Sequence, residues 1–257
     1  MKELIQQKLK GLESDYNITI LFAVESGSRA WGFPSPDSDY DVRFIYKHMP
    51  EWYLSLDEQK DTINSLEGEL DLVGWDVRKA LRLLRKSNAA LFEKLQSPIR
   101  YGQQGCFLEE IQRLAPAYFS PMAGLHHYLS MAFNYYKACA PEQDVKLKSY
   151  FYLLRTTLAS LWIVENGTIP PMEFKDLLPL VQDREQLKKI EQLLEIKALV
   201  GEQYLHPKEE EELERYLLQS LRYCESKADT LPKSVGTTQA LDQLFRTTIL
   251  NEVTHNS

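Results

Sequence analysis

The sequence predicts an α+β protein: a small mixed β-sheet with flanking helices over residues 1–105, followed by an all-helical C-terminal domain over residues 106–257. Strand-length runs rich in β-branched and aromatic residues are confined to roughly the first hundred positions, where they are interleaved with helical periodicity. From Phe107 onward, long segments of helical period follow one another with few strand signals between them.

Taken in order, "KELIQQKLKGL" spaces Leu4, Ile5, Leu9 and Leu12 as one amphipathic helix. "NITILFAVES" reads as a strand that ends just before Gly27. "YDVRFIY" alternates and reads as a second strand, so "GSRAWGFPSPDSD" connects the two. "ELDLVGWDV" reads as a third strand running into the helix "DVRKALRLLRKSNAALFEKLQ", with Asp76 at the N-cap position and Pro98 closing the run. Four helical segments follow: "SPMAGLHHYLSMAFNYYKACA", "QDVKLKSYFYLLRTTLASLWIVEN", "REQLKKIEQLLEIKALV" and "KEEEELERYLLQSLRYCES". "GTIPP" and Leu231-Pro232 punctuate them, and the acidic run "KEEEELER" reads as a solvated helix face.

A chain of 257 residues with 44% apolar content supplies a real core, and 26% charged residues is ordinary for a globular protein. No apolar run reaches the roughly 18 residues that span a bilayer, and the N-terminal stretch lacks the apolar segment of a signal peptide. Cys106, Cys139 and Cys224 are far apart and odd in number, which fits a reducing compartment; the expected address is cytoplasmic. The net charge of −7 argues against sequence-independent nucleic-acid binding by the whole surface, though not against a local basic patch. The five histidines form no metal or nucleophile motif.

The chemistry concentrates in "ESGSRAWGFPSPDSDYDVRFIY", where Gly27-Ser28 is followed, ten residues on, by Asp39-x-Asp41. Carboxylates two apart on a strand point to one face. Like charges held together are costly unless a cation lies between them. Magnesium suits carboxylates combined with phosphate oxygens, and a third carboxylate from a neighbouring strand completes such sites. Asp71, alone in an apolar stretch, fills that role; Asp76 competes, although its position before "VRKALRLL" suits N-capping better. Gly27 lets the backbone approach a phosphate, and Ser28 adds an N–H and a hydroxyl. By itself "SPDSD" is also good turn chemistry.

"GSRAWG", "SDYDVRFIY", "DLVGWDVRKALRLLRKSN", "LQSPIRY", "KLKSYFYLLRTTLASLWI" and "PPMEF" together resemble the RNA repair pathway DNA polymerase β family, within the polymerase β nucleotidyltransferase superfamily. The resemblance runs to about Leu178 and implies transfer of a nucleoside monophosphate from an NTP to an acceptor, with release of pyrophosphate. It places Gly27 and Ser28 on the phosphate-binding pair and Asp39 and Asp41 on the metal carboxylates, with two Mg²⁺ ions expected and Mn²⁺ as a substitute. Arg29 lies beside the phosphate loop, its alternative being a solvated turn arginine. The acceptor is an RNA end, a small molecule or a protein hydroxyl.

Two basic groups accompany this site. Arg78, Arg82 and Arg85 share one helix face, either a solvated surface or a phosphate or RNA patch. Lys148, Tyr152 and Arg155 recur at the same spacing, as a trio to grip a triphosphate and stack a base. A metal-dependent nucleotidyltransferase is the leading expectation. The competing one, a non-catalytic nucleotide-binding module acting through a protein partner, would need a lost carboxylate, and none of the three is missing.

Overall fold

The computed structural model describes residues 1–139, 144–207, 211–233 and 236–250. The chain is α+β, as its sequence predicts. It opens with helix α1 (Lys2–Tyr16), strand β1 (Thr19–Glu25), the short helix α2 (Gly27–Trp31) and strand β2 (Tyr40–Lys47). A turn of helix, α3 (Pro50–Tyr53), precedes β3 (Thr62–Glu67) and β4 (Leu70–Asp76). Helices α4 (Val77–Arg85) and α5 (Ala89–Leu95), strand β5 (Arg100–Gln103) and helix α6 (Phe107–Tyr118) follow. Then come α7 (Pro121–Cys139), β6 (Asp144–Lys146), α8 (Leu147–Asn166), α9 (Arg184–Leu199), β7 (Leu205–Pro207), α10 (Glu211–Lys227) and α11 (Thr238–Leu250).

The chain groups into two compact units. Among the described residues the first comprises 1–27, 39–118 and 236–250; the second comprises 28–38, 119–139, 144–207 and 211–233. This division differs from a cut at 105/106. Helix α6 buries Phe107, Leu108 and Ile111 and packs on β1, while α11 packs on α4 and α6 and buries Leu241 and Leu244. Both helices therefore belong with the sheet.

In the first unit the sheet order is β3-β4-β2-β1-β5, and every pairing is antiparallel except β2 with β4, so the sheet is mixed. Three of its strands are those read from the sequence. The other two escaped for different reasons: "TINSLE" has only one buried residue, Ile63, and "RYGQ" is only four residues long. Both hold their place by ladder hydrogen bonds to stronger neighbours, β4 and β1.

One face of the sheet packs Val42, Phe44, Leu70 and Leu72 against Ile5 and Leu9 of α1. Each such buried aliphatic side chain contributes roughly 1.5–3 kcal/mol relative to exposure. Gly74 is required here, because a Cβ on it would lie 2.2 Å from the ring of its register partner Phe44. On the other face α4 packs on β2 and β4, α6 packs on β1, and Phe22 stacks on Phe107 at 6.3 Å.

The single helix expected over "DVRKALRLLRKSNAALFEKLQ" is two. Ser87 takes φ 54°, and Asn88 caps α5 by accepting the Leu91 N–H at 3.1 Å. A serine-asparagine pair competes well enough with helical hydrogen bonding to break the run there.

In the second unit α7 packs along α8, and α10 packs on both. Residues 28–38 carry Trp31 and Phe33 into an aromatic cluster with Phe151, Tyr152 and Phe174. Strands β6 and β7 form a two-stranded antiparallel ribbon. The helical segments expected here are present, with β6 replacing the start of the second. The first three residues of the acidic run, 208–210, lie outside the described residues. Cys106, Cys139 and Cys224 form no disulfide. No helix among the described residues is long and apolar enough to cross a membrane.

Candidate active site

The site grows from the junction of β1 and β2. The Ser26 N–H donates to the Asp41 carbonyl at 2.8 Å, and the Asp41 N–H donates to Glu25 Oε1 at 2.7 Å. Glu25 is fully buried. Its other oxygen accepts the Tyr101 hydroxyl, and its carbonyl accepts the Ser97 hydroxyl at 2.6 Å. Buried carboxylates survive only with such partners. Nothing in the sequence reading singled out Glu25, although a glutamate ending the otherwise apolar strand "TILFAVE" was a legible signal.

Gly27 follows with φ 62°, a left-handed conformation that glycine adopts freely. A Cβ at this position would lie 2.3 Å from Asp41 Oδ2. The backbone of Gly27 is therefore pressed against that carboxylate, and any larger residue would push it aside.

Asp41 and Asp71 are register partners on the parallel pair β2 and β4, which sets their carboxylates side by side on one face. Arg43, two residues along on that face, joins them. Its Nη2 donates to Asp41 Oδ1 at 2.8 Å and to Asp71 Oδ2 at 2.8 Å, while Nη1 donates to the Asp71 carbonyl at 2.9 Å. Like charges held side by side are costly unless a cation lies between them, and between Asp41 and Asp71 the protein chain itself supplies one, Arg43. Asp39 is exposed and precedes β2 by one residue.

Farther along the same face of β4, Trp75 carries the Lys94 ammonium 3.3 Å above its ring. Burial, with Arg43's charge adding to it, pushes the Lys94 pKa down to about 7. Neither Arg43 nor Lys94 was legible as part of the site, because only the fold brings α5 over β4.

The donor set suits a hard divalent cation: oxygen ligands from adjacent strands, with one guanidinium nitrogen already 2.8 Å from both. Among the described residues no three His, Cys, Asp or Glu side chains converge as a complete cage. Magnesium is commonly held by one or two carboxylates plus substrate oxygens, so Asp41 and Asp71 fit it.

Asp76 does something else. Its Oδ1 accepts the Arg78 N–H at 2.8 Å as the N-cap of α4, and Oδ2 accepts the Tyr53 hydroxyl at 2.7 Å. Only 1% exposed, its carboxyl is raised above the usual range by burial.

Ser28, Arg29, Lys148, Tyr152 and Arg155 belong to the second unit. Ser28 Oγ donates to Ser38 Oγ at 3.1 Å, and Arg29 Nη2 donates to the Ser38 carbonyl at 2.6 Å. Ser38 Oγ donates to Glu202 Oε1 at 2.8 Å, and Lys148 pairs with Glu202 Oε2 at 2.6 Å. Tyr152 meets Trp31 edge-on at 5.1 Å, and the buried Arg155 guanidinium lies 4.4 Å from the same Trp31 ring and donates to the Met172 carbonyl. The structure thus brings Lys148 to Glu202, and Tyr152 and Arg155 to Trp31, within one unit. Glu202 and Ser38 carried no sequence signal.

The basic stripe on α4 is not a uniform solvated face. Arg78 is held between the rings of Tyr53 (4.9 Å) and Phe245 (5.4 Å) and donates to the Tyr53 carbonyl at 3.1 Å. Arg82 and Arg85 are exposed and line a groove of about 330 Å³ between α4 and α11.

With this geometry in hand, comparison with known proteins gives a family. The model of the RNA repair pathway DNA polymerase beta family (RlaP) matches residues 1–247, and the chain belongs to that family. It is 47% identical over 199 residues to the uncharacterized protein YcgL of Bacillus subtilis, covering 77% of this chain and 76% of the relative. It is 28% identical over 152 residues to the uncharacterized protein MJ0002 of Methanocaldococcus jannaschii, covering 57% of this chain and 61% of that one. A crystal structure of a nucleotidyltransferase-like protein from Exiguobacterium sibiricum matches at 15% identity with a TM-score of 0.32, over 94% of this chain and 78% of its own.

Proposed function

We propose that the protein is a Mg²⁺-dependent, polymerase β-type nucleotidyltransferase that moves a nucleoside monophosphate from an NTP to an acceptor hydroxyl and releases pyrophosphate. The observation that carries this reading is the register pairing of Asp41 with Asp71, two carboxylates turned to one cationic point 2.8 Å from each. Bound there, magnesium would polarise the phosphate and favour the attacking oxygen as an oxyanion. The protein's own part is positioning and charge neutralisation.

In this reading Asp41 and Asp71 hold metal, with Asp39, exposed at the rim, as a ligand to a second ion. Gly27 and Ser28 take the triphosphate, with Arg29 beside them. Within the second unit, Lys148 is the proposed phosphate contact and Tyr152 the proposed base contact, and the buried Arg155 lies against Trp31 as Tyr152 does. The acceptor oxygen attacks the α-phosphorus, the bond to the bridging oxygen breaks, and the acceptor proton leaves on a carboxylate of the pair.

We assign the acceptor to an RNA end, reached through Arg82 and Arg85; the family's description and that basic groove support it. A reaction of this kind fits the cytoplasm. Incubating the protein with each α-labelled NTP, Mg²⁺ and separate pools of RNA, protein and metabolites tests the proposal. Label in RNA together with pyrophosphate release is expected; no label in any pool and no pyrophosphate would overturn it.

A further inference from the structure

Arg43 has more contacts than a simple counter-ion needs. Four hydrogen bonds hold its guanidinium: two to the carboxylates of Asp41 and Asp71, two to the carbonyls of Val42 and Asp71. The side chain is only 18% exposed. It sits where a metal held by both carboxylates would sit, so the two cannot occupy that point together. A divalent ion entering there must displace the guanidinium. The displaced group would remain beside the site with its charge uncompensated, on the sheet face over which Lys94 lies. An arginine released in this way is a planar donor suited to phosphate oxygens.

We propose that Arg43 is an exchangeable counter-ion and a nucleotide-phosphate ligand: it holds Asp41 and Asp71 while no metal is bound, yields them to the ion, and then binds the triphosphate. This rests on the nucleotidyltransferase reading for the identity of the anion, but not for the exchange itself. It makes metal and nucleotide binding mutually reinforcing, because each removes the penalty that the other would meet alone. The metal competes with a charge already in place, so the free protein should bind divalent ions weakly.

The test is Mn²⁺ binding to the full chain without nucleotide, read by the loss of the free-ion electron paramagnetic resonance signal. Arg43→Gln should bind Mn²⁺ about tenfold more tightly than the parent, the size of effect a neighbouring opposite charge commonly has. Its affinity for Mg²⁺-ATP, measured by calorimetry, should fall instead. Mn²⁺ should also raise the melting temperature of Arg43→Gln more than that of the parent. Unchanged or weaker Mn²⁺ binding by Arg43→Gln would overturn the exchange, and undiminished nucleotide affinity would overturn the phosphate role. Should the glutamine variant not fold, Arg43→Lys, which cannot bridge both carboxylates with a fork of donors, should show a smaller gain of the same sign; no gain overturns the exchange. If the parent transfers no nucleotide while the Mn²⁺ gain is present, the functional reading fails and the exchange stands.

Discussion

The buried carboxylate of Glu25 accepts the backbone N–H of Asp41 at 2.7 Å. The placement of the Asp41 backbone therefore depends on a residue whose own side chain is fully buried behind it. Glu25→Gln keeps the shape but turns an amide N–H toward either Asp41 N–H or the Tyr101 hydroxyl. The expected cost is roughly 1–3 kcal/mol of stability, with turnover reduced beyond what the unfolded fraction explains. Tyr101→Phe, which removes one donor to the far oxygen, should cost less in both. Chemical denaturation paired with pyrophosphate release checks this, and equal effects of the two variants would rule out a positioning role for Glu25.

Asp41→Asn and Asp71→Asn should each abolish transfer while the fold persists. From charge repulsion alone, either change would be expected to stabilise the metal-free protein. Arg43 alters that expectation: each variant also loses a charge-assisted hydrogen bond at 2.8 Å, so the net change in stability should be within about 1 kcal/mol of zero. Asp76→Ala should reverse the pattern. It removes the α4 cap and the Tyr53 partner, lowering stability by roughly 1–3 kcal/mol with activity retained in the folded fraction. A stable, inactive Asp76→Ala would move the catalytic carboxylate there.

Lys94 makes stability depend on pH. Its folded pKa, about 7, lies below the ordinary 10.5, so between those values the unfolded chain binds more protons. Stability therefore rises with pH across that window, by at most about 1.4 kcal/mol per unit, and the penalty is full below pH 7. Lys94→Met should be more stable than the parent at pH 6, with the difference shrinking toward pH 10. Thermal melts at several pH values measure it; parallel profiles for the two proteins would contradict the assignment.

RNA binding should be weak and steep in salt, with a slope corresponding to about two phosphate contacts, one each from Arg82 and Arg85. Arg82→Ala with Arg85→Ala should abolish it and spare NTP affinity. Arg78→Ala should instead lower the melting temperature, because that guanidinium is packed between Tyr53 and Phe245. Fluorescence anisotropy with a labelled oligonucleotide at several salt concentrations decides: a double variant that binds like the parent removes the groove from the reading.

The local signals in the sequence carried the fold class and pointed to the carboxylates that the fold places at the ends of β2 and β4. Period-two alternation put Asp39 and Asp41 on one face, although β2 begins only at Tyr40; an isolated carboxylate in "ELDLVGW" pointed to Asp71, and cap chemistry separated Asp76 from it. These are properties of short stretches, set by backbone geometry and hydrogen bonding within a few residues. Which strands become neighbours is not such a property. The parallel pairing of β2 with β4 sets Asp71 beside Asp41, and the packing of α5 on the sheet brings Lys94 over Trp75. The same pairing lets Arg43 reach both carboxylates. The sequence could state that two like charges need a cation between them. Only the tertiary structure, by closing contacts between residues 28 apart, supplied one from the chain itself.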